Sequence, residues 1–279
     1  VYRSRGQYEE ALGYYQDSQA IMREVGDLAR EGTTLNNIGG IYDSQGQYEE
    51  ALGYYQDSLA ILREVGNLVK EGATLSNIGL VYYNQGQYEE ALGYYQESLA
   101  ILREVSYLTG EGATLNNIGA VYRNQGQYEE ALGYYQDALA IMREVGDRAG
   151  EGTTLNNIGF IYDIQKRDEE ALVYYQDALA IRREVGDRAG EGITLHNIGT
   201  VYAEQEQFEI ALTHLQQAFI ILRTIGPPRE EESASWIRDV LEEIREKKPF
   251  AYQWECQRTA AVTGVVMMKW CPEQGTGSP

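Results

Sequence analysis

Cysteine, proline, histidine and basic charge are all scarce in this sequence, and each scarcity excludes something. The two cysteines, Cys256 and Cys271, stand near the C-terminus. No disulfide framework therefore holds the bulk of the chain, which suits a reducing, cytoplasmic setting. They are separated by 15 positions with no histidine beside them, a poor pattern for a metal site. The five prolines (Pro227, Pro228, Pro249, Pro272 and Pro279) all lie beyond residue 226, so a long stretch is free of helix breakers. No apolar run is long enough to span a bilayer, and no signal peptide is apparent. Lys and Arg number 23 against 43 Asp and Glu, a net charge of −20. The segment from residue 249 is neutral, so the acidity sits before it. Such a surface repels phosphate backbones and anionic lipid, which argues against nucleic acid and membrane partners. It suits a protein or peptide partner that is basic or of mixed polar and apolar character.

What the chain has in abundance is itself. Gly-Gln-Tyr-Glu-Glu-Ala-Leu-Gly-Tyr-Tyr-Gln stands at 6–16, 46–56, 86–96 and 126–136, with diverged copies near Lys166 and Glu206. Leu-Asn-Asn-Ile-Gly stands at 35–39, 115–119 and 155–159, with variants at 75–79 and 195–199. A fixed period of 40 residues marks a solenoid, in which each unit buries its apolar face by stacking on neighbours. Within 31–66, Leu35, Ile38, Gly39 and Tyr42 form one helical stripe, and Tyr48, Ala51, Leu52, Tyr55, Leu59 and Leu62 form another. Gly46 and Gly66 are placed for left-handed helix ends. Gly39 and Ala51 sit where two helices can approach closely, so the unit is expected to be a helical hairpin.

Leu35, Ile38, Gly39, Tyr42, Ala51 and Tyr55 match the Trp-x-x-Leu-Gly-x-x-Tyr and Ala-x-x-x-Phe spacing of the tetratricopeptide repeat, which the chain resembles over 6–226. The family's closing proline is missing, and the period is 40 where about 34 is usual. Long-period arrays of this kind resemble those of kinesin light chain, the Pins/LGN scaffolds and bacterial multi-repeat regulators. The resemblance implies an all-α, right-handed solenoid of stacked antiparallel hairpins. The expected division is an orphan second helix within 1–30, five repeats over 31–226, a capping helix over 227–248 and a tail over 249–279. The five hairpins are expected at 31–65, 71–105, 111–145, 151–185 and 191–225. In the cap, Trp236, Ile237, Val240, Leu241 and Ile244 share one face. The tail matches no repeat and is expected to be disordered, loosely docked or the remnant of another domain. Because the chain begins at Val1, partway through a repeat, it is expected to belong to a longer protein.

No nucleophile–base pair, phosphate loop or metal-ligand cluster emerges, so no catalysis, metal or cofactor is expected. His196 and His214 replace Asn36 and Tyr54 at equivalent positions, and a structural role is expected for both. The paired glutamates, such as Glu49-Glu50, fall in the first turn of a helix, where its dipole favours them.

The candidate site lies on the first helices, opposite their core stripe. The resemblance implies that these faces line a concave groove. Asn37, Asn77, Asn117, Asn157 and Asn197 never vary, although asparagine is a poor helix former. They are expected to hold the backbone of an extended peptide, resembling the asparagine ladders of O-GlcNAc transferase, to bond to the adjacent helix, or to be copies left by recent duplication without selection. Neighbouring positions vary as specificity positions do: Asn36, Ser76, Asn116, Asn156, His196; Gly40, Leu80, Ala120, Phe160, Thr200; Asp43, Tyr83, Arg123, Asp163, Ala203. Leu80, Tyr83 and Phe160 are expected as apolar subsites, with Arg123 a lone cation between them. The Lys/Asn/Arg carboxylate clamp of chaperone-adaptor members is absent. The expected function is a non-catalytic interaction scaffold. The alternatives are the sensing arm of a larger signalling or caspase-like protease protein, and a self-associating array joined end to end through the incomplete first repeat.

Overall fold

The computed structural model of the chain describes residues 5–225 and 229–263. Among them the secondary structure is all α-helix. In chain order the helices are α1 (Arg5–Val25), α2 (Leu28–Ser44), α3 (Tyr48–Glu64), α4 (Leu68–Asn84), α5 (Tyr88–Glu104), α6 (Leu108–Asn124) and α7 (Tyr128–Val145). They continue as α8 (Arg148–Ile164), α9 (Asp168–Glu184), α10 (Arg188–Glu204), α11 (Phe208–Arg223), α12 (Arg229–Lys247) and α13 (Pro249–Thr263). None of these helices is long and apolar enough to cross a membrane. The chain divides into two compact units, one of Arg3–Gly150 and the other from Glu151 onward.

The hairpins begin three residues before the positions expected from the apolar stripe. The reason is a cap that precedes the stripe. Asp27, Asn67 and Asp187 accept a hydrogen bond from the backbone amides of Arg30 (3.1 Å), Lys70 (3.2 Å) and Gly190 (2.9 Å). Each thereby satisfies an amide that the first helical turn leaves unpaired. The second helices α3, α5 and α7 lack such a side-chain cap and carry Glu49-Glu50 or an equivalent acidic pair in their first turn instead. The glycines end helices as expected: Gly46, Gly66, Gly86 and Gly126 have φ between 69° and 76°. The amide of Asn67 bonds back to the Leu62 carbonyl at 2.9 Å, closing the left-handed turn.

Close approach within a hairpin depends on a glycine facing a tyrosine. A Cβ at Gly39 would lie 2.7 Å from a ring carbon of Tyr55, and the same holds for Gly79 on Tyr95 and Gly119 on Tyr135 within 2.8 Å. Ala51, Ala91 and Ala131 are fully buried beside these rings. A second ring pair lies next to the first. Tyr42 stacks on Tyr54, Tyr82 on Tyr94 and Tyr122 on Tyr134, each with centroids 5.3 Å apart.

Successive hairpins are joined by an ion pair. Arg63 Nε meets Glu71 Oε1 at 2.8 Å and Arg103 Nε meets Glu111 Oε1 at 2.7 Å, while Arg23 pairs with Glu31 in the same way. Each glutamate is buried, so removing the arginine would strand a charge. Within Arg3–Gly150 the backbones of the first helices of successive hairpins come close, α2 with α4 and α4 with α6, whereas those of α3 and α5 stand further apart and meet through side chains such as Arg63 and Glu97. The first helices therefore lie on the inner side of this unit's stack.

At the other end α12 behaves as the apolar stripe predicts. Ile237, Val240, Leu241 and Ile244 are buried against Phe208, Leu212, Leu215 and Phe219 of α11. Over 249–263 of the tail, α13 forms and docks. Gln216 Nε2 donates to Thr259 Oγ1 at 2.9 Å in the interior, and Arg223 Nη1 donates to the Thr263 carbonyl at 2.7 Å. Polar bonds of this kind anchor the helix together with Cys256 and Tyr252, which join the α11–α12 apolar cluster, and no long apolar stripe announces it. Cys256 is buried and disulfide-bonded. The linker prolines Pro227 and Pro228 and the remainder of the tail, Cys271 included, lie outside the described residues.

Candidate functional site

The invariant asparagines are half-buried at Asn77, Asn117, Asn157 and Asn197, and Asn37 is exposed. Two of them are tied to the preceding first helix. Asn77 Nδ2 donates to Asn36 Oδ1 at 3.0 Å, and Thr74 Oγ1 donates to the same oxygen at 3.1 Å. In the second unit Asn197 Nδ2 and Thr194 Oγ1 reach Asn156 Oδ1 at 3.3 and 3.0 Å. Asn116 and Asn157 are also engaged in polar contacts. Asn117 is placed differently: its counterpart one repeat back is Ser76, and no such bond forms between them. One function of the ladder in this fold is thus to stitch first helix to first helix. The threonine that completes the stitch recurs at 74, 114, 154 and 194. That recurrence was the signal in the sequence for this network.

Arg123, expected as a lone cation, is held by neutral neighbours. Its Nη2 donates to the Tyr83 hydroxyl at 3.2 Å, and its guanidinium also reaches Asn124 Oδ1 at 3.1 Å. Asn124 Nδ2 donates to the same Tyr83 hydroxyl at 2.9 Å and to the Tyr88 hydroxyl at 3.4 Å. The physical reason is the one-repeat offset: residues 40 or 41 apart on first helices are side by side, so a long side chain reaches its predecessor. Leu80 is half-buried in the same unit, beside the Tyr83 helix turn. In the second unit Phe160 is an exposed large apolar group. Asp43 is half-buried; burial raises its carboxyl pKa, partly opposed by a hydrogen bond from Asn84.

The second unit treats the same positions otherwise. The His196 ring stacks on Trp236 of α12 with centroids 3.6 Å apart, and burial pushes its pKa down to about 4. Ala203 is buried against α12 as well. His196 and Ala203, expected among the groove's variable positions, are thus covered by the cap. His214 stacks on Tyr202 and takes the place of a tyrosine in the ring pairs. Both histidines are engaged in ring stacking.

Asp163, Asp168 and Glu204 bring ligand-type oxygens within 4.8 Å of one another. Asp168 accepts from Gln205 Nε2 at 3.0 Å, and Glu204 pairs with Lys166 at 2.7 Å. Burial first, then the Glu204 charge, raises the Asp163 carboxyl pKa to about 6, against a bond from the Tyr175 hydroxyl. The sequence positions of these three acids, on two turns one repeat apart, gave no hint of this proximity.

A family model described as tetratricopeptide repeat matches residues 1–64, 70–144, 110–184 and 150–224. No curated protein matches the chain. Among solved structures, BtubC (BKLC) from P. vanneervenii is similar with a TM-score of 0.68 and 20% identity, over 79% of this chain and 92% of that one. The signal transduction ATPase with a tetratricopeptide repeat sensor from Pyrococcus horikoshii gives 0.65 and 20%, over 89% of this chain and 38% of the other. A putative kinesin light chain from Podosopora anserina with nearly identical repeats gives 0.55 and 17%, over 72% and 98%. At these identities the likeness concerns the fold. Together with the family match over most of its length, the hairpins, their glycine–tyrosine contacts and their 40-residue register make this chain a member of the tetratricopeptide repeat family.

Proposed function

We propose that the chain is a non-catalytic interaction scaffold that binds an extended peptide across α2, α4 and α6 of the Arg3–Gly150 unit. Tetratricopeptide repeats generally serve protein–protein interaction, and a solenoid presents a long face rather than an enclosed pocket. The observation that carries the reading is the state of Asn77. One amide hydrogen is spent on Asn36, which fixes the side chain, while its carbonyl oxygen stays uncommitted. An amide held in this way is pre-organised to accept from a peptide backbone. Asn117 adds a second amide one repeat on. Leu80 and Tyr83 offer apolar contact between them, and Arg123 supplies a hydrogen-bond donor whose position Tyr83 fixes.

The test begins with selection of binding peptides from a random library on the full chain. Affinity and melting temperature are then measured for the Asn77→Ala, Asn117→Ala double variant. A loss of about 1–3 kcal/mol in binding is expected, since each hydrogen bond contributes roughly 0.5–1.5 kcal/mol net. Selected peptides whose affinity per folded molecule ignores both substitutions would overturn the reading.

A second reading is favoured by the likeness to the Pyrococcus horikoshii protein, whose repeats are described as a sensor. Under it the same face receives a signal for an effector domain elsewhere in a longer chain. The two readings share the site and differ in the consequence of binding.

A further inference from the structure

The second unit contains a cleft unrelated to the asparagine face. It measures about 300 Å³ and opens between the α10–α11 turn, the end of α12 and α13. Phe208, Ile210 and Ile244 make its apolar walls, and Glu255 of α13 lines it as well. Glu255 is only 6% exposed, and its Oε2 has no hydrogen-bond partner among the described residues. The nearest cation, Arg258 Nη1, stands 3.6 Å away, beyond hydrogen-bond range. That guanidinium is already used by Glu209 Oε1 at 3.2 Å and Thr213 Oγ1 at 3.0 Å. Burial raises the Glu255 carboxyl pKa, opposed by the Arg258 charge and reinforced by that of Glu209.

The surrounding charges do not repair this. Glu206 is taken by Lys247 at 2.9 Å, and Lys247 also serves Glu243 at 2.8 Å. Lys248 places its ammonium over the Phe208 ring, 5.0 Å from the centroid, and donates to the Glu206 backbone carbonyl at 3.3 Å. The cleft therefore already seats one ammonium on an aromatic face, as cation–π attraction favours. Four carboxylates (Glu206, Glu209, Glu243, Glu255) meet three cations (Lys247, Lys248, Arg258), which leaves one negative charge unmatched. A buried carboxylate in that position costs stability unless a cation or a donor reaches it.

We propose that this cleft binds a primary alkylammonium group, with Glu255 receiving the ammonium and Phe208, Ile210 and Ile244 covering its aliphatic stem. A lysine side chain of a peptide and a free diamine share that chemistry. The site is separate from the asparagine face, so either assignment can fail without the other.

The experiment titrates the full chain with 1,5-diaminopentane and, separately, with a short peptide carrying one lysine, by calorimetry at moderate salt. Saturable one-to-one binding of either probe is expected, with none for 1-pentanol or pentanoate. Tighter binding of the peptide identifies a lysine side chain as the source; binding of the diamine alone identifies a small amine. Glu255→Gln should weaken the binding by about tenfold or more, the usual loss for a bond to a charged group. Ile210 is on the surface, so Ile210→Arg keeps the fold and should block the cleft with its own cation. It decides the matter if Glu255→Gln does not fold. Weak, unsaturable binding, or binding that Ile210→Arg leaves unchanged, would mean diffuse attraction to an acidic surface and overturn the proposal.

Discussion

The hairpins α4–α5 and α8–α9 are built on one template and differ at three telling positions. Leu102, buried in α5, becomes Arg182 in α9. Gly86, which closes the turn at φ +75°, becomes Lys166 at φ +57°. Ser76 becomes Asn156, which is buried and bonded to the following first helix. All four helices keep the same length of 17 residues, so the fold tolerates a buried guanidinium and a left-handed lysine. It does so because stacking on the next hairpin and ion pairs such as Arg63–Glu71 and Arg183–Glu191 hold the helices in place. In the α8–α9 hairpin, local cost accumulates at Arg182. Among the described residues its Nε and Nη1 have no hydrogen-bond partner, and the Asp187 carboxylate is 4.0 Å away. Burial lowers its pKa accordingly.

The sharpest way to break this comparison is to exchange the two residues. Leu102→Arg should destabilise by about 3–5 kcal/mol, the loss typical of a buried charge left without a partner. Arg182→Leu, which restores the residue found at 62, 102 and 222, should stabilise by about 1–4 kcal/mol. Urea denaturation monitored by circular dichroism measures both. If neither variant shifts the midpoint, the position is wet in solution and the comparison is wrong.

A smaller effect comes from pH. Asp163 in α8 holds its proton up to about pH 6, whereas the unfolded chain releases it near 3.8. Between these values the folded state binds more protons, so stability falls as pH rises from about 4 to 6 and is level above. The carboxyl is only partly buried, and screening reduces the effect to on the order of 1 kcal/mol. Asp163→Asn should flatten the melting temperature across that window. Asp43→Asn, at the same position in α2, is the control: burial raises that carboxyl too, but Asn84 opposes the shift. A wild-type melting temperature already flat from pH 4 to 6 would contradict this.

Much of the fold was readable in advance, and the reason is physical. A stripe of Leu35, Ile38, Gly39 and Tyr42 against Ala51 and Tyr55 allows one arrangement of two helices, because only glycine and alanine let the tyrosine ring in. The repeat then copies that arrangement along the chain. What could not be read were contacts set by stacking distance rather than by periodicity within one helix. Arg123 reaching Tyr83, Asn77 reaching Asn36 and the meeting of Asp163, Asp168 and Glu204 all cross from one repeat to the next. The docking of α13 escaped for a similar reason, since Thr259 and Arg258 find partners on α11 that no stripe announces.

The turns extend the comparison to single residues. Ser106, at φ 53°, stands where Gly26, Gly66, Gly146 and Gly186 close other second helices. A non-glycine residue there is strained, while glycine costs more entropy on folding. Ser106→Gly should therefore gain about 0.5–1 kcal/mol net, and Gly66→Ser should lose a similar amount. Lys166→Gly should move in the same direction as Ser106→Gly. Thermal melts of the three variants check this, and a stabilising Gly66→Ser would contradict it.

The smallest expected difference separates two asparagines that look alike in the sequence. Asn77 donates to Asn36, and Asn117 faces Ser76 without a bond. Asn77→Ala removes a bond of about 0.5–1.5 kcal/mol, partly offset by the higher helix propensity of alanine, so its net cost should be at most about 1 kcal/mol. Asn117→Ala loses no such bond and should leave the melting temperature unchanged or raise it. Binding of a selected peptide provides the second axis. If both amides hold a peptide backbone, the two variants lose similar affinity although only one loses stability. If stitching helices is the ladder's sole purpose, Asn77→Ala costs stability, Asn117→Ala costs nothing, and affinity per folded molecule is unchanged in both.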